Sequence, residues 1–486
     1  MKFWFITGSQ FLYGEETLAK VERNSREIAE HLNEKLPFAV EYTDTVKTES
    51  GAFELIKQAN FDSDCAGIII YCHTFSPSKM WIAALKSLQK PYLHLHTQYN
   101  RAIDNNAIDM DYMNLHQSAH GDREHGFIAA RLNISREIIS GHFKDAEVLT
   151  QIENWQRASV GAAFSKVLKI ARFGDNMREV AVTEGDKVEA QLKLGWQVNT
   201  YGVGGLVEEI SAVTSAEVDK KIAEYREKYE FNTDDSEAVR EQARMEIAMK
   251  KILERENCRA FTNTFEDLYG MKQLPGLATQ NLMAQGYGYG GEGDWKTSAL
   301  VAVAKAMMKD TDKPSSFMED YTYDYEAGLI LGAHMLEVCP TIADNADNKP
   351  KIEVHALGIG GKNPPARLVF EGLAGAATVA SLVDMGGRFR LIVQDVECVK
   401  PINTYPNLPV ARVMWKPAPN LEAGAEAWIR AGGAHHTVLS YGVSAEMWRV
   451  WARIMEVEFV HLSAETNLHT LERDLELGGL LWKLKH

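Results

Sequence analysis

The chain has 486 residues, 45% of them hydrophobic and 24% charged, with a formal net charge of −15. That length implies two to four domains of roughly 100–200 residues, each able to bury a core without disulfide or metal staples. The acidic balance and the lack of a long basic run exclude a nucleic-acid footprint, and no window nears the roughly 20 apolar residues of a membrane span, so neither nucleic acid nor membrane is an expected partner.

The apolar run 3–7 ends at Gly8 and is too short for a signal segment, so a cytoplasmic location is expected. It predicts a buried strand. Helical spacing follows over 15–36, with Leu18, Val21, Ile28, Ala29 and Leu32 on one side. A second strand is predicted at 38–42 and a helix at 53–59. The run 66–72 (AGIIIYC) is apolar on both faces, as a parallel sheet requires. A helix opening with Pro77 over 77–88 and a strand at 91–96 complete a βαβα rhythm, which predicts an open parallel sheet covered by helices. No G-x-G-x-x-G follows the first strand, so a dinucleotide is not the expected ligand.

A second α/β unit begins near Lys169, with a strand at 167–172. The charged stretch 208–255 has helical spacing interrupted at 231–235, and its charges read most simply as a solvated helix face. A strand at 260–264 and a helix at 276–285 follow. In the last third, strand-like runs at 351–357, 366–371, 378–384 and 389–399 are split by Gly and Pro, which predicts an antiparallel sheet or small barrel. Helices return at 422–431 and 444–456. The expected architecture is therefore N-terminal and central parallel-sheet α/β domains, residues 1–168 and 169–313, then a C-terminal antiparallel β-rich, barrel-like domain, residues 314–486. The five cysteines form no Cys-x-x-Cys pair, so buried, reduced core thiols are expected rather than a thiolate metal site.

Four places set polar side chains in glycine-rich or apolar context. In 285–296 (QGYGYGGEGDWK), Glu292 stands between two glycines, with a helix start at Asp294. In 316–323 (SFMEDYTY), Glu319 and Asp320 lie within an aromatic stretch; on a strand they face opposite ways, and a buried carboxylate needs a partner or a metal. In 332–340 (GAHMLEVCP), His334 precedes an apolar run containing Glu337. In 431–437 (AGGAHHT), paired histidines follow two glycines, and the residues do not choose between His435 and His436. Each place has a bland alternative: a flexible turn, an edge strand, a satisfied core histidine, or a loop with incidental histidines. Together they supply carboxylates and imidazoles without thiolate, a set that suits Mn²⁺, Co²⁺ or Mg²⁺. The separations of 27, 15 and 102 residues leave it to the fold to join them.

These places, with the segments 5–14 (FITGSQFLYG), 73–81 (HTFSPSKMW), 108–114 (IDMDYMN), 172–180 (RFGDNMREV), 264–268 (TFEDL) and 273–276 (QLPG), resemble the L-arabinose isomerase family. The resemblance implies conversion of L-arabinose to L-ribulose, with D-galactose to D-tagatose as a side activity. It implies metal ligands at Glu292, Glu319, His334 and His436, and Glu292 and Glu319 as the acid–base pair. Sugar contacts carry over to Gln10, Leu12, Tyr13, Met177, Phe265 and Ile359. His120 would reach a neighbouring subunit's site in a homo-oligomer, a trimer or a hexamer of stacked trimers. Phe11 stands where the family often has His, 121–125 reads GDREH rather than GGRE followed by Phe or Tyr, and Tyr289-Gly290 replaces Phe-Ala.

The chemistry expected of such a site is a cis-enediol route, one carboxylate moving the C2 proton and the other the hydroxyl proton. A metal-bound carboxylate is a weaker base than a free one, so either one of the two glutamates binds the metal loosely or neighbours raise its basicity; Glu337 and His435 are expected in the latter part. Two rivals are a metal-dependent hydride shift and a non-catalytic sugar-binding protein of the periplasmic-receptor type. An isomerase of another sugar, such as L-fucose, is a further alternative.

Overall fold

The computed structural model describes residues 1–344 and 349–485. Its contacts divide the chain into two compact units, Met1–Ala163 and Phe164–His486.

In the first unit, strands β1 (Lys2–Gly8), β2 (Ala39–Val46), β3 (Cys65–Cys72), β4 (Tyr92–His96) and β5 (Glu137–Ser140) form one sheet in the order β2-β1-β3-β4-β5. Every pairing is parallel. All eight residues of β3 are buried, which is why its sequence shows no alternation. The helices Gly14–Lys35 and Glu49–Phe61 match the periodic stretches, the second capped by Thr48, which accepts the Gly51 N–H. Pro77 does not open a long helix. It precedes a 3-10 turn at Ser78–Trp81 and a short helix at Ile82–Ser87. The order reverses at β1 and β3, and ligands of open parallel sheets bind beyond the strand ends at such a point.

The second unit continues with β6 (Lys169–Phe173), β7 (Gln197–Tyr201), β8 (Glu230–Phe231), β9 (Ala260–Asn263) and β10 (Gly288–Gly290). Four of them form a parallel sheet in the order β10-β9-β6-β7. Then come β11 (Ser315–Asp324), β12 (Leu329–Ala333), β13 (Lys351–Val354), β14 (Ala366–Val369), β15 (Gly375–Asp384), β16 (Phe389–Val399), β17 (Arg412–Pro417), β18 (His436–Ser440) and β19 (Glu458–Leu462). Six strands pair antiparallel in the order β15-β18-β11-β12-β17-β16, and β15 pairs β16 to close a barrel. Closure removes the edges that an open sheet would expose. β19 runs parallel to the first half of β16, and β8, β13 and β14 form a separate ribbon.

The helix Trp295–Met307 joins sheet to barrel. It packs on β9 and β10 from one side and on β11, β15 and β18 from the other. All its residues but Lys305 and Ala306 are buried, so it has no polar face. The solvated face expected over 208–255 is seen for most of its charges, with two exceptions. That stretch contains the end of the helix Val203–Ala212 and the whole of Ser215–Lys228 and Ser236–Arg255, and the last buries Glu241 and Glu246. Glu246 is held by the Tyr225 hydroxyl at 2.5 Å and the Lys221 ammonium at 3.0 Å, the pairing a buried charge requires. All five cysteines are buried and free. No helix among the described residues is long and apolar enough to cross a membrane.

Candidate functional site

The turn after β10 is built around Glu292. Its backbone is left-handed, φ 59°, and Gly293 follows at φ 82°. A Cβ on Gly293 would lie 2.4 Å from the Asn176 Cα, so only glycine fits there. The turn is pinned from both sides: the Met177 N–H donates to the Glu292 carbonyl at 3.1 Å, and the Gly293 N–H to the Asn263 carbonyl at 2.8 Å. A left-handed non-glycine residue costs about 1–3 kcal/mol and persists where its surroundings hold it.

Barrel register delivers the other groups. Glu319 of β11 lies opposite His436 of β18 and opposite Ala333 of β12, whose next residue is His334. Three residues distant in sequence thus meet at one end of the barrel, beside the turn carrying Glu292. Asp320 faces the other way; burial pushes its carboxyl up to about 6, and the Tyr323 hydroxyl donates to it at 3.3 Å.

The two buried imidazoles are arranged alike. His334 has Nδ1 at 2.5 Å from Glu337 Oε2 and Nε2 at 3.9 Å from Glu319 Oε2. His436 has Nδ1 at 3.2 Å from Asp294 Oδ2 and Nε2 at 3.9 Å from Glu292 Oε2. An ionised carboxylate only accepts, so each Nδ1 is the donor and each neutral ring keeps its lone pair on Nε2. Phe317 packs edge-on against both rings, which are 5.8 Å apart. Gly291 makes room for them, since a Cβ there would sit 3.0 Å from His334 Cε1. The Nε2 of His436 is buried without a hydrogen-bond partner among the described residues. A buried polar atom left unpaired is expensive and asks for an occupant.

Charges around the cluster follow from these contacts. Burial raises the Asp294 carboxyl, but the Lys296 charge and the hydrogen bonds from His436 and Thr297 outweigh it and hold it near about 2. Burial likewise opposes ionisation of Glu292, and the His435 hydrogen bond with the charges of His436 and His334 more than offsets it. Burial lowers His436, whereas in His334 the Glu337 carboxylate overcomes burial and raises it. Glu292 and Glu319 side chains are 17% and 20% exposed, enough for a small molecule to reach both.

As the side chains stand, the tightest group able to share an ion is Glu292, His435 and His436, with ligand atoms within 4.8 Å of one another. His435 differs from its neighbour. Its Nε2 donates to Glu292 at 3.3 Å, so that nitrogen has no lone pair to offer, and it is a third exposed.

The remaining expected residues divide into three sets. Met177 follows β6 and touches the turn through its N–H, and the Phe265 ring lies nearly parallel to His334 at 6.1 Å. Ile359 is 38% exposed on the loop between β13 and β14, and no described contact brings it to the cluster. Gln10, Leu12 and Tyr13 follow β1 in the first unit, at its reversal point; Leu12 is exposed and the Tyr13 hydroxyl donates to Gln117 at 3.3 Å. His120 lies exposed on the helix Ser118–Arg131, its ring 4.8 Å from Phe75.

Three contributors are given no part in the site by the sequence reading. Asp294 orients His436, but its position before an apolar helix is fully accounted for by capping. Lys296 is buried and donates to the Thr183 carbonyl at 2.9 Å and the Glu184 carbonyl at 2.5 Å, 3.7 Å from Asp294. The Tyr289 hydroxyl reaches Glu337 at 3.3 Å. Only Tyr289 carried a signal, as a departure from the family pattern.

Comparison with known proteins decides the family. Models of the L-arabinose isomerase N-terminal, central and C-terminal domains match residues 1–167, 169–310 and 314–458. The chain belongs to the L-arabinose isomerase family. It is an enzyme of the isomerase class. L-arabinose isomerase 1 of Bacillus licheniformis is 54% identical over 99% of this chain and 98% of its own. The L-arabinose isomerases of Anoxybacillus flavithermus and Geobacillus stearothermophilus are 54% and 53% identical, over 100% and 99% of this chain and 98% of each relative.

Proposed function

We propose that this member of the family is a metal-dependent aldose–ketose isomerase that converts L-arabinose to L-ribulose, with D-galactose to D-tagatose as a side activity. Family membership supports the substrate. The buried, unpaired Nε2 of His436, facing Glu292 while Asp294 fixes its Nδ1, is the observation that carries the metal. The donor set fits: two imidazole Nε2 atoms, each backed by a carboxylate, with two ionisable glutamates and no sulfur, a set for Mn²⁺ with Co²⁺ or Mg²⁺ as substitutes. Glu292, Glu319, His334 and His436 would hold it. When bound, the metal supplies Lewis-acid stabilisation of negative charge on neighbouring sugar oxygens.

The protein's own groups do the proton work. One of Glu292 and Glu319 takes the proton from C2 and returns it to C1 of a cis-enediol, and the other moves the hydroxyl proton between the oxygens. Against the expectation that His435 raises basicity, its hydrogen bond to Glu292 limits that of the carboxylate, which leaves Glu319 better suited to abstract from carbon. Glu337 and Asp294 keep the imidazoles in one tautomer and orientation. Phe265 and Met177 form part of the sugar-facing wall. We further infer a cytoplasmic homo-oligomer, trimer or hexamer, in which His120 reaches a neighbouring subunit's site, with Gln10, Leu12, Tyr13 and Ile359 as further sugar contacts.

The test is product analysis after chelation, with L-arabinose, D-galactose and L-fucose. L-Ribulose is expected to form only when Mn²⁺ is restored, and Glu319→Gln is expected to abolish turnover while the fold survives. Full activity in EDTA, or near-normal turnover by that variant, would sink the assignment. Reaction in D₂O separates the routes: deuterium at C1 of the product supports the enediol, and its complete exclusion favours a hydride shift.

A further inference from the structure

The chain ends in a helix, Leu468–Lys485, that no sequence signal predicted. Its inward side is made by Leu471, Leu475, Gly478, Gly479 and Trp482, all half-buried. Gly478 sits close on its own fold, since a Cβ there would lie 2.9 Å from Glu458 Oε1. Glu472 is tied to Arg430 at 2.9 Å. The helix is therefore docked, and its docking face is satisfied.

The opposite side is apolar as well. Leu477, Leu480, Leu481 and Leu484 are 51%, 56%, 58% and 75% exposed. At 3.6 residues per turn these four fall within an arc of about 100°. A surface helix of a monomer has one apolar stripe; one with two opposed stripes is short of a partner. Spacings of three and four residues are those of leucines that interlock with another helix.

The charges choose the partner. Glu476 and Lys483 are exposed on the same flank of the outer stripe, seven residues apart, and neither has an ion-pair partner among the described residues. If a second copy of this helix lies antiparallel, Glu476 of each meets Lys483 of the other, twice. Leu477 then faces Leu484, with Leu480 and Leu481 at the crossing. A parallel arrangement would put the two copies of this flank on opposite sides of the contact, where Glu476 and Lys483 could not pair. Self-complementarity of this kind is the signature of a two-fold contact. An anionic membrane surface is the poorer fit, because the chain carries a net −15 and this helix no basic face.

We propose that the outer face of the helix Leu468–Lys485 is a two-fold homotypic interface, formed with the same helix of a second copy in antiparallel register. The proposal is independent of the catalytic reading, since none of these residues belongs to the site. It is tested on the full-length enzyme by light scattering and sedimentation velocity over a dilution series, with circular dichroism and turnover as controls. The wild type is expected to contain an even number of chains. Leu480→Glu with Leu484→Glu is expected to halve that number and leave the fold and turnover per chain intact. Glu476→Lys alone is expected to weaken the association about tenfold, and Glu476→Lys with Lys483→Glu to restore it. The swap keeps the test sound if the leucine variant folds poorly. An odd number of chains in the wild type, no change of mass in the leucine variant, or no rescue by the swap would overturn the proposal. So would binding to phosphatidylcholine–phosphatidylglycerol vesicles that is lost in the leucine variant while its mass stays that of the wild type.

Discussion

The Asp294 carboxylate accepts the Lys296 and Thr297 N–H groups on one oxygen and faces His436 Nδ1 with the other. One side chain thus starts a helix and orients an imidazole. Asparagine also caps helices but brings no negative charge, so Asp294→Asn separates the two roles. We expect that variant to fold normally and to bind Mn²⁺ about 10–100-fold more weakly, read by titration calorimetry on the metal-free enzyme. Affinity within twofold of wild type would show that the carboxylate's charge is immaterial to His436. Much of this detail was hidden from the sequence. Glu292 and Glu319 could be singled out because glycine-rich and aromatic surroundings are odd places for carboxylates. Nothing in an adjacent pair of histidines distinguishes His436, fully buried on Asp294, from His435, donating to Glu292. That difference exists only once β18 is paired with β11.

The end of β3 passes into His73, which is buried and whose two nitrogens are both engaged. Nδ1 donates to the Leu115 carbonyl at 3.0 Å, and Nε2 faces the Asn24 amide at 3.1 Å. Burial is the main reason its pKa falls to about 4. The folded state therefore keeps His73 neutral, while the unfolded chain protonates it near about 6.5. Between those values the unfolded state binds more protons. The contribution is complete above about pH 6.5 and is lost as pH falls towards 4, by roughly 3 kcal/mol at most. Denaturant melts across that window should show stability falling with acidity, less steeply in His73→Gln; identical slopes would refute the assignment. Other buried histidines, His125 among them, push the same way, so the variant flattens the dependence without removing it.

At the same scale, strands were legible where their burial had one cause. The run that became β3 is apolar throughout because helices cover both sides of its sheet. The barrel strands β12 and β18 are five residues each and buried at every one, so the alternation that marks a half-exposed strand is erased. The break before Ser215–Lys228 was readable, since Thr214 and Glu217 form a capping box that the even spread of charge obscured.

Across the whole molecule, the proposed ligands lie in the second compact unit, and there the central sheet and the barrel contribute unequally. Hydrogen exchange with and without Mn²⁺ should therefore show protection over the Glu292 turn, β11 and β18, and none in β2 or the buried interior of β3. Uniform protection of both units, or none in the turn, would contradict a localised site. The three-part organisation was visible in the changing rhythm of the sequence, but the intimacy of its second and third parts was not, because no local pattern encodes a helix shared between two layers.

That sharing has a historical corollary. Glu292 and Asp294 precede the link to β11, whereas Glu319, His334, Glu337 and both paired histidines follow it. A recombination crossover in the link would inherit half of the proposed site from each parent. Barrels can be exchanged among relatives only where the incoming Glu319 and His436 meet a glycine turn that has kept their spacing, so the stretch from Gly288 to Ser440 should descend as a single block.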